Sequence, residues 1–115
     1  MTETPLKRII LEMGTGNDLH GRDYTNAAKR AVQDALHHSS LVLFRSLEID
    51  PNSMDIELTL AAQEPDKIDV ETVAATLPYG KVTAKAVKGG LNVPDDATGG
   101  VTVVVNAGVL VRLPV

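Results

Sequence analysis

The segment Gly14-Thr15-Gly16-Asn17-Asp18-Leu19-His20-Gly21 most constrains the fold, because it places three glycines between an apolar run and an alanine-rich stretch. The apolar run, Leu6–Met13, predicts a first strand, and the later stretch predicts a helix over Asp23–His38. Glycine tolerates positive φ angles and the close approach of another backbone. We therefore expect residues 14–21 to form a strand-to-helix loop that lies close to a neighbouring group.

The helix is expected to pack closely on a sheet, because its apolar side is made of small residues. Asp23 or Thr25 can cap its first turn with a side-chain oxygen. The apolar side consists of two adjacent rows at i, i+4 spacing, which are Ala27, Ala31 and Ala35, and Ala28, Val32 and Leu36.

The rest of the chain predicts further strands and one further helix. The second helix is expected at Asp69–Leu77, a turn at Pro51–Ser53, and the most loop-like stretch at Asn92–Gly100. The element order β-α-β-β-α-β-β fits a single α+β domain over residues 1–115, with two helices on one face of a mixed sheet. The remaining strands are expected at Leu41–Ile49, Met54–Ala62 and Lys81–Val87, and then as one or two strands at Val101–Val105 and Val109–Leu113.

This order leaves the opposite face of the sheet without a cover. Val101–Val105 is apolar on both faces apart from Thr102, so we expect a strand that is central or covered by another subunit. Aromatic residues are only 3% of the chain, and the Val, Leu, Ile and Ala that remain bury less area per side chain. We therefore expect a homo-oligomer in which a partner subunit covers the open face.

Composition argues against several classes of function. A formal net charge of -4 at pH 7 is unsuited to nucleic acid, whose phosphates need a basic surface. The chain has no cysteine, hence no disulfide, thiolate metal site or thiol nucleophile. Its first residues lack the apolar region of a signal peptide, and no run approaches the roughly 18 apolar residues of a membrane span. These features indicate a cytoplasmic protein with no nucleic-acid or membrane partner.

The expected loop holds the two side chains best suited to chemistry, Asp18 and His20. Histidine titrates near neutral pH and a carboxylate can orient it, so the pair could act as acid and base. It could equally supply two metal ligands, or Asp18 could cap a turn while His20 bonds a carbonyl. Leu19 stands where the dinucleotide fingerprint needs glycine, and no Gly-Lys-Ser/Thr, HExxH or GxSxG pattern occurs.

The pattern Gly14-x-Gly16-x-Asp18-x-His20-Gly21, followed by the alanine-rich helix, resembles an uncharacterised conserved family of bacteria and plants with an N-terminal GxGxDxHG motif. The likeness extends through residues 22–36, and more weakly to residues 88–91 and to Asn106-Ala107.

The element order is similar to the fold of the Bacillus-type chorismate mutases and the YjgF-like proteins. That likeness implies trimers or related rings with ligands bound between subunits. Ring-opening amidohydrolases of the cyanuric acid and barbiturate type are built from similar domains. Those enzymes rely on Ser–Lys pairs, whereas residues 14–21 contain neither Ser nor Lys.

Two further positions could contact a ligand. Asn106 lies in an otherwise apolar strand, so it either ties down a bulge near Gly108 or reaches towards a ligand. Lys81 and Lys85 share one strand face, where they could hold an anion, although a solvated face is the simpler interpretation.

The sequence thus favours a small homo-oligomer, with a trimer implied by the resemblance, whose intersubunit pocket binds a small polar or anionic molecule. Gly14, Gly16, Asp18, His20 and Gly21 are the predicted ligand-binding residues. If the protein is an enzyme, His20 is the candidate acid or base and Asp18 orients it; no cofactor or metal is assigned. The alternatives are a non-catalytic structural or interaction protein that uses the glycine motif for assembly, and a ring-opening amidohydrolase-like enzyme.

Overall fold

The computed structural model describes residues 5–19, 23–37, 48, 50–77 and 80–114. These residues form an α+β structure with a mixed sheet, as the sequence predicts. The expected strand at Leu41–Ile49 lies outside the described residues apart from Glu48. The strands are β1 (Leu6–Asp18), β2 (Asp55–Ala62), β3 (Lys81–Lys88), β4 (Leu91–Pro94) and β5 (Val101–Pro114), and the helices are α1 (Tyr24–His37) and α2 (Val70–Ala74).

β5 is the central strand, which confirms the expectation for Val101–Val105. It pairs antiparallel with β1 along one edge. Along its other edge it pairs antiparallel with β4 at residues 101–104 and with β2 at residues 106–112. β3 extends the sheet by pairing parallel with β2. β5 runs for 14 residues without the bend that the sequence allows near Asn106–Gly108. It stays straight there because its pairing with β1 is regular, with Asn106 opposite Thr15 and Gly108 opposite Met13.

Both helices lie on one face of the sheet, where the alternating pattern of each strand places its apolar side chains. Four alternate residues of β2 are buried there, at Ile56, Leu58, Leu60 and Ala62. The matching row of β5 runs through Val103, Val105, Ala107, Val109, Val111 and Leu113. The molecule measures only 18 Å along its shortest axis, which suits one sheet and one layer of helices. Within the described ranges, no helix is long and apolar enough to cross a membrane.

The expectation of a loop at residues 14–21 is wrong for its first half, because β1 continues to Asp18. Gly14 and Gly16 face α1 from within the strand. A Cβ built on either glycine would lie 2.2 Å from a helix carbonyl oxygen, that of Ala31 for Gly14 and that of Ala27 for Gly16. The glycines are therefore explained by the close approach of a helix rather than by a turn.

Two other boundaries differ from the sequence-based expectation. α2 spans only Val70–Ala74, after Asp69 accepts a capping hydrogen bond from the Thr72 backbone N–H. The stretch expected to be a loop at Asn92–Gly100 begins instead with β4, which pairs with the first residues of β5. Gly90, with a φ of 62°, lies between β3 and β4, where the chain crosses over to pair with β5 beyond the end of β2.

Replacing Gly16 with alanine is expected to lower the free energy of unfolding by about 3 kcal/mol or to prevent folding, because the new Cβ meets helix backbone that cannot move alone. Gly108→Ala is the matched control, since a Cβ at Gly108 meets no atom within 4 Å. Urea unfolding monitored by circular dichroism measures both variants. A Gly16→Ala protein as stable as the Gly108→Ala protein would show that α1 does not rest directly on β1.

Candidate functional site

Asp18 lies at the end of β1 and is only 7% exposed. Its Oδ2 accepts a hydrogen bond from the Asp23 backbone N–H at 3.0 Å, and its Oδ1 accepts one from Asn26 Nδ2 at 3.4 Å. Arg30 Nη1 lies 3.5 Å from Oδ1 and also donates to the Asn17 carbonyl at 2.7 Å. All these groups belong to the connection between β1 and α1. Asp18 therefore fastens the start of the helix to the end of the strand.

The first turn of α1 already has a capping group. Asp23 Oδ1 accepts a hydrogen bond from the Asn26 backbone N–H at 2.9 Å. Gly16, one of the predicted ligand-binding residues, lies beneath the middle of α1 and not at its N-terminus. His20 and Gly21 lie outside the described residues, so the pairing of Asp18 with His20 stays a prediction.

A polar cluster around the buried Tyr24, beside this junction, was not predicted from the sequence. The Tyr24 hydroxyl donates to Glu64 Oε2 at 2.9 Å and accepts from Asn92 Nδ2 at 2.8 Å. Burial raises the pKa of Tyr24 above its usual value, so the hydroxyl remains protonated. The only signal in the sequence is that Tyr24 stands three residues before Ala27 and continues the apolar side of α1. The cluster links α1 to β4 and to the segment after β2.

The sheet face turned away from the helices, here called the open face, carries large apolar side chains in solvent. Met13 is 72% exposed and Leu91 is 61% exposed, with Leu11 at 49% and Val93 at 48%. The strand register places these residues around the half-buried Val104 and Leu110 of β5. The exposed residues thus lie on one face, in two groups on either side of Thr15 and Asn106, as the sequence predicts for a sheet face without a cover.

A groove of about 540 Å³ lies at the centre of the open face, where Gly108 has no side chain. Thr15 Oγ1 donates to Asn106 Oδ1 at 3.1 Å, and the Thr15 backbone N–H donates to Asp34 Oδ2 at 2.9 Å. Gly14 and Thr15 bring part of the predicted segment to this groove. The signal in the sequence is a polar residue and a glycine two positions apart in an apolar strand. The side chains that line the groove include Met13, Thr15, Asp34, Thr59 and Asn106.

The two ends of the open face carry opposite charge. At the end where β5 finishes, Glu57 lies 3.1 Å from Arg112 and 3.3 Å from Lys85, and the hydrogen bonds from these cations hold the pKa of Glu57 below its usual value. One row across β1, β5, β2 and β3 contains, in that order, Arg8, Arg112, Asp55 and Lys81, so Arg8 and Lys81 add positive charge at its two ends. The cations there therefore outnumber the carboxylates.

The other end of the open face is acidic. The loop between β4 and β5 carries Asp95 and Asp96 and no basic residue. Hydrogen bonds from the Ala97 backbone N–H and the Thr98 hydroxyl lower the pKa of Asp95, so this carboxyl group is charged at neutral pH. Among the described residues, no group of three or more His, Asp or Glu side chains is placed to hold a metal ion.

Comparison with known proteins assigns the chain to a family. The model of the conserved hypothetical protein family Lin0512 matches residues 8–111. The chain belongs to this family. It is also similar to an FtsZ-like protein of unknown function from Nostoc punctiforme PCC 73102, whose crystal structure superposes with a TM-score of 0.84. The two sequences are 33% identical over 97% of this chain and 99% of that chain. A search of curated proteins finds no match.

Asp18→Ala is expected to lower the free energy of unfolding by about 2 kcal/mol, because the part-buried hydrogen bonds from Asp23 and Asn26 lose their acceptor. Asp66→Ala, at an exposed position in the segment after β2, also removes one carboxylate and should change stability little. Urea denaturation of the two variants gives the comparison. If Asp18→Ala were neutral or stabilising, the buried carboxylate would serve a ligand site in preference to the fold.

Proposed function

We propose that the protein is a homodimer whose subunits associate through the open face and enclose a site for a small polar molecule. The observation that carries this proposal is the exposure of four large apolar side chains on that one face. Apolar patches of this size on a soluble chain typically mark interaction surfaces. A second copy of the chain supplies an apolar face of the same extent.

The size of the open face supports this association. Its central strand has 14 residues and the sheet is four strands wide, so the face covers on the order of 800 Å² at about 4.8 Å between strands and about 3.3 Å per residue. Stable interfaces bury about 800 Å² on each partner. One sheet face packed on another would therefore bury enough area for a specific dimer.

The charge distribution favours a two-fold arrangement. Two identical faces in contact form an isologous interface, and when its two-fold axis runs across the strands each end of one face meets the opposite end of the other. The basic end around Arg8, Lys81 and Arg112 would then lie over the partner's loop that carries Asp95 and Asp96. The groove lies midway between these ends, since Asn106 and Gly108 flank the midpoint of the row from Thr102 to Arg112. The grooves of the two subunits would face each other.

This proposal revises several finer predictions. A face-to-face contact gives a dimer in place of the trimer that resemblance to the chorismate mutase-like fold implies. Gly14 and Gly16 pack against α1 of their own chain, which disfavours assembly through the glycine motif. A cytoplasmic location, and a separate ligand site at Asp18 and His20, remain predictions from the sequence.

Leu91→Glu is expected to raise the dimer dissociation constant about a hundredfold or more, because each subunit then buries an unpaired charge on an apolar face. Leu91 is exposed in the single chain and lies outside the groove, so the variant should fold normally. Sedimentation equilibrium at micromolar concentration measures the association.

Gln33→Glu is the control for this test, because it adds the same charge at an exposed position of α1 on the helix side. It should leave the dimer intact. A wild-type protein that is monomeric at micromolar concentration, or a Leu91→Glu variant as dimeric as the control, would overturn the proposed association.

Reversing one charge at either end of the open face should weaken the dimer about tenfold, whereas reversing both should restore its affinity. The single variants are Arg8→Glu and Asp96→Arg, and the double variant combines them. Glu71→Arg on α2 serves as the charge control. Added salt should weaken the wild-type dimer through screening. Additive losses in the double variant would contradict the proposed two-fold orientation.

A further inference from the structure

We infer that the groove at Asn106 and Gly108 binds a small uncharged organic molecule that presents a carbonyl oxygen next to an N–H or O–H group. This inference deepens the proposed function and rests on it, because the site becomes enclosed only when two open faces meet. It specifies which atoms of the groove recognise the ligand and which charge the ligand carries.

Asn106 provides the first argument, since it is a polar side chain at the centre of an apolar face. Thr15 Oγ1 donates to Asn106 Oδ1, which turns the amide nitrogen away from Thr15. No hydrogen bond from Asn106 Nδ2 occurs among the residues that the structure describes. In the single chain this donor faces solvent, but association would bury it. A buried donor needs an acceptor, and a ligand carbonyl oxygen can supply one.

Gly108 provides the second argument, because it leaves room beside that donor. A side chain at this position would fill part of the groove, and a Cβ there would meet no atom within 4 Å. The groove volume of about 540 Å³ falls within the range of about 300–1,000 Å³ that is typical of small-molecule sites. Two such grooves facing each other would form a closed chamber. Protein interiors are close-packed and seldom keep an empty space of that size, so a ligand would fill it.

The charge of the groove provides the third argument, and it favours the polar over the anionic ligand of the two that the sequence leaves open. Asp34 is the one charged residue among those that line the groove, and its carboxylate accepts from the Thr15 N–H at the rim. No Lys, Arg or His lines this part of the described surface. An anion would therefore lose its hydration without gaining a cationic partner.

The remaining lining groups determine the rest of the ligand. Thr59 Oγ1 can accept a hydrogen bond, so it matches an N–H or O–H next to the carbonyl group. Met13 and Ala61 offer an apolar wall to a hydrocarbon portion. An amide attached to a flat apolar ring satisfies all three requirements.

Benzamide and benzoate test this inference, because they share one ring and differ in the charge of the polar group. Wild-type protein labelled with ¹⁵N is titrated with each probe while its dimeric state is followed by sedimentation. We expect benzamide to shift the amide resonances of Thr15, Asn106 and Gly108, and benzoate to bind at least about tenfold more weakly. Equal or tighter binding of benzoate would overturn the assignment of an uncharged ligand.

Two variants locate the site. Asn106→Val removes the donor and Gly108→Val fills the groove, so each should abolish the benzamide shifts, whereas Thr102→Val on the same face should retain them. A dimer in which benzamide shifts no groove resonance would refute the ligand and leave the association standing. A monomeric protein whose groove resonances shift with benzamide would refute the association and leave the ligand assignment standing. A monomer without such shifts would refute both.

Discussion

The backbone of α1 rests directly on the backbone of β1, and the rest of the structure depends on this contact. It requires glycine at positions 14 and 16 of the strand and alanine at the facing helix positions, because there is no space for larger side chains. Asp18 then fixes the junction by holding the first residues of the helix. A larger residue at any of these sites would lift the helix from the sheet and open the core between them.

This close contact has an energetic consequence. Alanine and glycine remove little apolar area from water, at about 25 cal/mol for each Å² buried, and the chain has few aromatic residues to compensate. The remaining apolar side chains are divided between the two faces of the sheet. One set forms the core under the helices, whereas Met13, Leu91 and their neighbours stay in solvent on the open face. Association of two such faces would supply burial that the single chain lacks.

The sequence predicted the periodic elements well, because their burial follows from pattern alone. The alanine rows of α1 and the alternation of β2 determine which side of each element is buried, whatever their partners. The glycine segment was predicted less well, because glycine is favoured both in turns and where two backbones approach each other. Only the position of Ala31 above Gly14 distinguishes these two causes. β4 was missed because it is an exposed strand of only four residues that ends at Pro94, which is too short to show a clear alternating pattern.

The alternation of β1 separates the two roles that the glycine segment was expected to combine. Gly14, Gly16 and Asp18 point towards the helix, and their contacts there are accounted for by packing and by hydrogen bonds to α1. Met13 and Thr15 point to the opposite face, where Met13 is exposed and Thr15 bonds Asn106. The fixed positions of the GxGxDxHG pattern that the structure describes therefore serve the fold. Thr15, at a variable position between them, lines the groove, so a change of side chain there would alter the groove without disturbing the contact between helix and strand.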